Sequence, residues 1–312
     1  MSPVSAGKAA GEPFGSPEAL LEIAAEVAVA GTLPLPGVTE AARVAAPLAA
    51  QLPPARVRAG IEAVIMGKAL EIGLQWMHDA GLLAVLLPEL EATVDFSQEA
   101  GRRHKDVWEH TKQVVRQSVP KPSVRWSALL HDIGKVPTRV LLPDGRVTFH
   151  RHAEVGARMW EPIGRRLGFD KPDRQKIRFL ILNHLRANAY EPGWTDAAVR
   201  RFDLEMGDGL EELLDLSRAD VTSRRPGRRQ EAVGNIHALK ERILVIRELD
   251  ARVPPLPPGL GNIIMQAFSL PPSKRIGDLR KLCEDAVERG ELEERRDAAY
   301  YVDYLRSLKS GP

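Results

Sequence analysis

Apolar residues recur at helical spacing along almost the whole chain. Leu20, Leu21, Ala24 and Val27 share one face of a helix that starts at Pro17. Pro34 and Pro36 break that pattern. Val38 to Ala50, Ala55 to Met66 and Ile72 to His78 then continue as helices, the last ended by Gly81. The run from Leu82 to Leu90 is too apolar for a surface loop. Residues 1–16 are small and aperiodic, and are expected to form a disordered lead-in.

A second helical set begins near His104, where Val107, Thr111, Val114 and Val115 define a buried face that also carries His110. Trp126, Leu129, Leu130 and Ile133 take the i, i+3, i+4, i+7 positions of a core helix expected to run to Gly134. Asp144-Gly145 between two β-prone runs predicts a short hairpin. Helices follow at about 152–167, 172–185, 195–206, 209–222 and 230–250. The prolines between Val253 and Pro258 predict a stiff linker before terminal helices at about 260–308. The fold class is therefore all-α, in four segments: 1–16, 17–98, 99–250 and 251–312.

Composition narrows the function classes. With 44% hydrophobic and 28% charged residues the chain has an ordinary globular balance. A net charge of +2 gives no general pull toward nucleic acid or membrane, so a basic surface must be local. Cys283, the one cysteine, cannot form an internal disulfide, which suits a reducing compartment. There is no signal-like leader and no apolar run near the ~20 residues of a membrane span, so a cytoplasmic protein is expected. No glycine-rich nucleotide loop appears.

The candidate chemistry lies in where histidines and acids meet the apolar stripes. His131-Asp132 sits at the end of the core helix. His152 heads the stripe Val155, Gly156, Met159, Trp160 and Ile163, and His184 falls among Ile177, Leu180, Ile181 and Leu185. Asp220 is in line with Leu210, Leu213, Leu214, Ser217 and Val221. A lone histidine in such a place is most often a hydrogen-bonded core residue. Four such positions beside an adjacent His-Asp point instead to shared metal ligation, since buried imidazoles and carboxylates must be paired or ligated. The expected ligands are His110, His131, Asp132 and Asp220, with His152 and His184 either binding a second metal or contacting the phosphate. This nitrogen and oxygen set admits Mn, Ni, Co, Fe, Zn or Mg. A divalent ion there lowers the pKa of water to about 7 and polarises a phosphoryl oxygen. Lys135, Arg139, Arg151 and Arg186 flank the candidates as phosphate contacts, and Arg224, Arg225, Arg228 and Arg229 form a dense cationic loop suited to a polyphosphate or an RNA backbone. His78, His104, His150 and His237 are assigned no role.

The order His…His-Asp…Asp resembles the HD superfamily of metal-dependent phosphohydrolases. More narrowly, His104-Lys105-Asp106-Val107-Trp108-Glu109-His110-Thr111, Leu130-His131-Asp132-Ile133-Gly134-Lys135 with Thr138-Arg139, and Phe149 with His152, Gly156 and Ala157 resemble the body of bacterial CCA-adding tRNA nucleotidyltransferases. Gly81-Leu82-Leu83 and Leu87-Pro88-Glu89 resemble that family's neck, and Ile276-Gly277 with Gly290-Glu291-Leu292 its tail. The resemblance implies a helical HD bundle between helical neck and tail. The first aspartate is Asp79, and Ser16, Pro17, Ala19 and Glu22 stand where the family's nucleotide-selecting run has an aspartate and two arginines. CCA polymerisation by this chain alone is therefore not expected.

The expectation is a phosphatase or 2′,3′-cyclic phosphodiesterase acting on nucleotides or RNA 3′ ends. Asp132 would bridge metal and attacking water, and Lys135 and Arg139 would neutralise the phosphate. The rival expectation is a non-catalytic tRNA- or RNA-binding or partner module.

Overall fold

The computed structural model describes residues 14, 16–96, 106–223, 225–251 and 254–309, and the chain divides into two compact units, 1–243 and 244–312. The lead-in expected over residues 1–16 lies largely outside the described residues.

In the first unit the neck-like part is α1 (Glu18–Ala30), α2 (Pro36–Ala45), α3 (Pro54–Ile65), α4 (Leu70–Asp79), α5 (Leu82–Leu86) and α6 (Pro88–Glu91). Then come α7 (Val107–Gln117), α8 (Pro122–Leu130), α9 (Lys135–Thr138), α10 (His152–Arg166), α11 (Lys171–Asn183), α12 (Asp196–Met206) and α13 (Leu210–Asp220), and α14 (Pro226–Ala251) begins in this unit and runs past its end at Ile243. The hairpin is antiparallel: β1 (Val140–Leu141) pairs with β2 (Val147–Thr148), turning at Gly145 with φ 80°. In the second unit, α15 (Leu260–Phe268), α16 (Lys274–Glu288) and α17 (Ala298–Lys309) bury Leu260, Ile264, Cys283, Tyr301 and Leu305. Burial pushes the Cys283 thiol up to about 11, so it is protonated and inert at neutral pH. Among the described residues no helix is long and apolar enough to cross a membrane.

α8 is the axis of the first unit. Every residue from Val124 to Leu130 is buried, and the helix packs against α3, α7, α11 and α13. The neck is tied to this core by polar contacts as well as apolar ones. The Trp126 indole donates to Glu62 (3.1 Å), Arg125 donates to the Ile65 carbonyl (2.6 Å), and Arg166 forks onto Glu89 (2.7 and 2.9 Å).

The structure corrects three boundaries. The helix expected to reach Gly134 ends at Leu130, and His131 to Gly134 form a turn before α9. The His131 ring closes that end by donating from Nδ1 to the Ala128 carbonyl (2.8 Å). The helix expected from Val38 to Ala50 is α2 followed by a 3-10 segment, Ala46–Gln51, because Pro47 has no N–H to continue the α ladder. The cationic loop expected at 224–229 is mostly helix. Pro226 starts α14, which places Arg228 and Arg229 in its first turn.

Glu212 clamps the N-terminal half of this arrangement. Its buried carboxylate on α13 accepts from Ser123 at the start of α8 (2.8 Å), from Lys176 of α11 (3.2 Å) and from Lys121. Burial works against the charge, yet these donors hold the Glu212 carboxyl below its ordinary value. A depressed folded pKa means stability that is present above the unfolded value of about 4.3 and lost as pH falls through the folded one. Glu212→Gln is expected to cost about 1–3 kcal/mol at pH 7. That cost should shrink as both proteins are unfolded in urea at pH 4 and below, and a cost constant over this range would contradict the clamp.

Candidate metal centre

The donors stand at helix ends. His131 caps the C-terminus of α8, His184 caps that of α11, and Asp220 is the last residue of α13. Three helix C-termini, each carrying partial negative charge, thus meet at one point, an arrangement that favours a cation. His110 reaches it from the first turns of α7, which Asp106 starts by accepting from the Glu109 N–H (3.1 Å). His152 is the first residue of α10 and follows Arg151, a non-glycine in left-handed backbone (φ 61°). Asp132 lies in the turn after α8.

Two groups of donor atoms share Asp132. In the first, His110 Nε2 lies 3.2 Å from His131 Nε2, 3.3 Å from Asp132 Oδ2 and 3.0 Å from Asp220 Oδ1. His131 Nε2 is 3.1 Å from Asp132 Oδ2 and 3.6 Å from Asp220 Oδ1. In the second, His152 Nε2 lies 3.3 Å from His184 Nε2 and 3.5 Å from Asp132 Oδ1. The Asp132 side chain is 2% exposed, and Oδ1 has no hydrogen-bond partner among the described residues.

The imidazoles are oriented by their far nitrogens. Nδ1 of His131, His184 and His152 donates to the carbonyls of Ala128 (2.8 Å), Ile181 (2.7 Å) and Phe149 (3.0 Å). Each bond leaves the Nε2 lone pair facing the centre, the tautomer a metal requires. His110 Nδ1 is held by the Thr222 hydroxyl (3.0 Å). Lone pairs about 3.2 Å apart repel unless a proton or cation lies between them. Ligands about 2.1 Å from one ion are about 3.0–3.4 Å from each other, and the donor atoms here lie 3.0–3.6 Å apart. A buried carboxylate with one orphan oxygen and four imidazoles grouped around its two oxygens therefore fit divalent ions.

The imidazoles of the two groups differ in how strongly they hold a proton. Burial opposes charge on His131, but the adjoining Asp132 and Asp220 carboxylates override it and raise the ring to about 10. Burial likewise opposes charge on His110, and the same two acids raise it. His184 goes the other way: burial, then the His131 charge, pushes it down to about 4. Burial also lowers His152. Burial works against ionised Asp132, but the His131 and Lys135 charges hold it well below the usual carboxylate range.

Six expected ligands are thus brought together, and the flanking cations divide. Lys135 Nζ donates to Asp132 Oδ2 (2.7 Å), and the exposed Arg139 guanidinium lies over the Phe96 ring (5.5 Å). Arg186 pairs with Glu205 (2.5 Å) over Phe202, and Arg151 lies 3.6 Å from Glu154. Arg225, Arg228 and Arg229 are exposed, Arg229 donating to Gln117 (3.1 Å), while Arg224 lies outside the described residues. His78 pairs with Glu91, His150 and His237 are exposed, and His104 lies outside the described residues. Sequence reasoning missed Thr222, whose only signal is that it stands two residues past Asp220.

Residues 97–225, which hold all six donors, match the HD domain family. Residues 36–93 match the family described as the probable RNA and SrmB-binding site of polymerase A. Over 254 residues the chain is 32% identical to the A-adding tRNA nucleotidyltransferase of Deinococcus radiodurans, covering 79% of this chain and 57% of that protein. It is 30% identical over 126 residues to the multifunctional CCA protein of Pseudomonas syringae pv. syringae (39% of this chain, 30% of that one). A like-named protein of Pseudomonas aeruginosa strain LESB58 is 39% identical over 88 residues (27% and 22%). The chain spans little more than half the length of the first relative and less of the others.

Proposed function

We propose that this chain, which carries an HD domain behind a polymerase-A-type RNA-binding segment, is a metal-dependent phosphohydrolase acting on nucleotides or RNA 3′ ends as a phosphatase or 2′,3′-cyclic phosphodiesterase. The observation that carries the reading is Asp132, whose two oxygens face two separate groups of imidazole nitrogens. His110, His131, Asp132 and Asp220 would hold one divalent ion, and His152, His184 and Asp132 a second. Such ions supply Lewis acidity and a nucleophile from water at neutral pH. The chain's own contribution is geometry and charge. The backbone carbonyls fix the rings, Asp132 ties the two groups together, and Lys135, 2.7 Å from Asp132, places a positive charge beside the point where phosphate oxygens would gather. Arg139 is the next cation along the chain, exposed where α9 ends.

The test is hydrolysis of nucleoside 2′,3′-cyclic and terminal phosphates by Mn-, Ni-, Co- and Zn-loaded protein. Turnover that is lost in His131→Ala and on chelation supports the reading. Equal inactivity of wild type and variant with every metal overturns it.

A second reading rests on the match at residues 36–93: the chain grips tRNA without cutting it. Arg225, Arg228 and Arg229 would then contribute backbone contacts. It expects tRNA affinity that falls steeply with salt and survives His131→Ala.

A further inference from the structure

The rings of two phenylalanines, Phe149 and Phe96, have no role in the chemistry above. Phe149 follows β2, and its backbone carbonyl is the acceptor that orients His152. Its ring lies 5.7 Å from Lys135 Nζ, the same ammonium that bonds Asp132. The Phe96 ring lies 6.3 Å from that of Phe149, tilted by 52°, and carries the Arg139 guanidinium 5.5 Å above its centre. Both rings are only partly buried. Starting from Asp132, the successive contacts thus run ammonium, ring, ring, guanidinium.

A small phosphate ester needs only the ions and Lys135. A strip of alternating rings and cations continuing from that point suits a phosphate with a flat aromatic group attached. Bases stack on aromatic faces and on guanidinium planes regardless of sequence, while the cations follow the phosphates.

We propose that Phe149 and Phe96, with Arg139, form a base-stacking platform, so that the substrate phosphate belongs to a nucleoside. This rests on the hydrolase reading for where the phosphate sits. The platform itself is separable, because the Phe149 carbonyl holds His152 whatever side chain the residue carries.

The experiment measures binding and turnover of four compounds by wild type, Phe149→Leu, Phe96→Leu and the ring-keeping Phe149→Tyr. The compounds are adenosine 2′,3′-cyclic phosphate, a short oligoribonucleotide with a cyclic 3′ end, adenosine 2′-phosphate and base-free glycerol phosphate. Metal content and melting temperature are followed in each variant. Binding of adenosine 2′-phosphate is measured by calorimetry, which needs no turnover. The leucine variants should lose about tenfold in preference for the nucleotides over glycerol phosphate, and Phe149→Tyr should keep it. A larger loss for the oligoribonucleotide than for the mononucleotide in Phe96→Leu marks an RNA end as the ligand, and equal losses mark a free nucleotide. If wild type turns over glycerol phosphate as readily as the nucleotides and the leucine variants keep that ratio, the platform is wrong and the hydrolase stands. If nothing is hydrolysed but adenosine 2′-phosphate binding still drops in the leucine variants, the platform stands and the hydrolase falls.

Discussion

Asp132→Ala should leave a folded protein without bound divalent metal and lower phosphohydrolysis about a thousand-fold or more. The size follows from the several kcal/mol that metal assistance contributes, each ~1.4 kcal/mol being tenfold in rate. The direction follows from position, because Asp132 is the one donor residue common to both groups. His184→Ala should behave differently. It removes an atom only from the second group, so metal content should fall from about two equivalents per chain to about one. Elemental analysis of protein dialysed against Mn or Zn separates the cases. Wild type holding a single equivalent that His184→Ala leaves untouched would mean that His152 and His184 contact phosphate and not an ion. Full metal content in Asp132→Ala would remove the basis for the bridging role altogether.

How much of this was legible beforehand depends on how local each feature is. His110, His131, His152, His184 and Asp220 were readable because each interrupts an apolar stripe, and a polar group among residues that must be buried calls for a partner. The helical class was readable for the same reason. The end of α8 at Leu130 was not, because the apolar spacing continues to Ile133, which is buried in the turn as it would be in a helix. The Glu212 clamp joins positions up to 91 residues apart, Lys121 and Glu212 among them, and no spacing announces it. Thr222 stands at the last position of the helix expected over 209–222 and off its apolar stripe, and partly exposed phenylalanines such as Phe96 and Phe149 follow no face. Nor did periodicity show that α8, α11 and α13 all present their C-termini to the donor cluster, since it gives the face of a helix and not the direction in which it runs.

The turn that carries His131 and Asp132 also holds α10 in place, and one atom there should have a large effect. A Cβ on Gly134 would stand 2.1 Å from the His152 carbonyl oxygen and 2.6 Å from the Gly156 nitrogen. Both are backbone atoms, so no side chain can turn away, and the start of α10 must shift. Gly134→Ala is therefore expected to cost about 3 kcal/mol, at the upper end of what overpacking does. In a unit of this size that lowers the melting temperature by roughly 6–12 °C. The shift falls on His152 itself, so metal content should drop toward one equivalent even at temperatures where the protein is folded. Gly156 sits across the same contact and serves as the control. A Cβ there meets nothing closer than 3.5 Å, and its helical backbone suits alanine. Gly156→Ala should keep both ions and stabilise α10 by up to about 1 kcal/mol. Calorimetry and metal analysis on the pair test the packing and the ligand assignment together. If the two alanines behaved alike, the tight seat of the His-Asp turn against α10 would not be what positions His152.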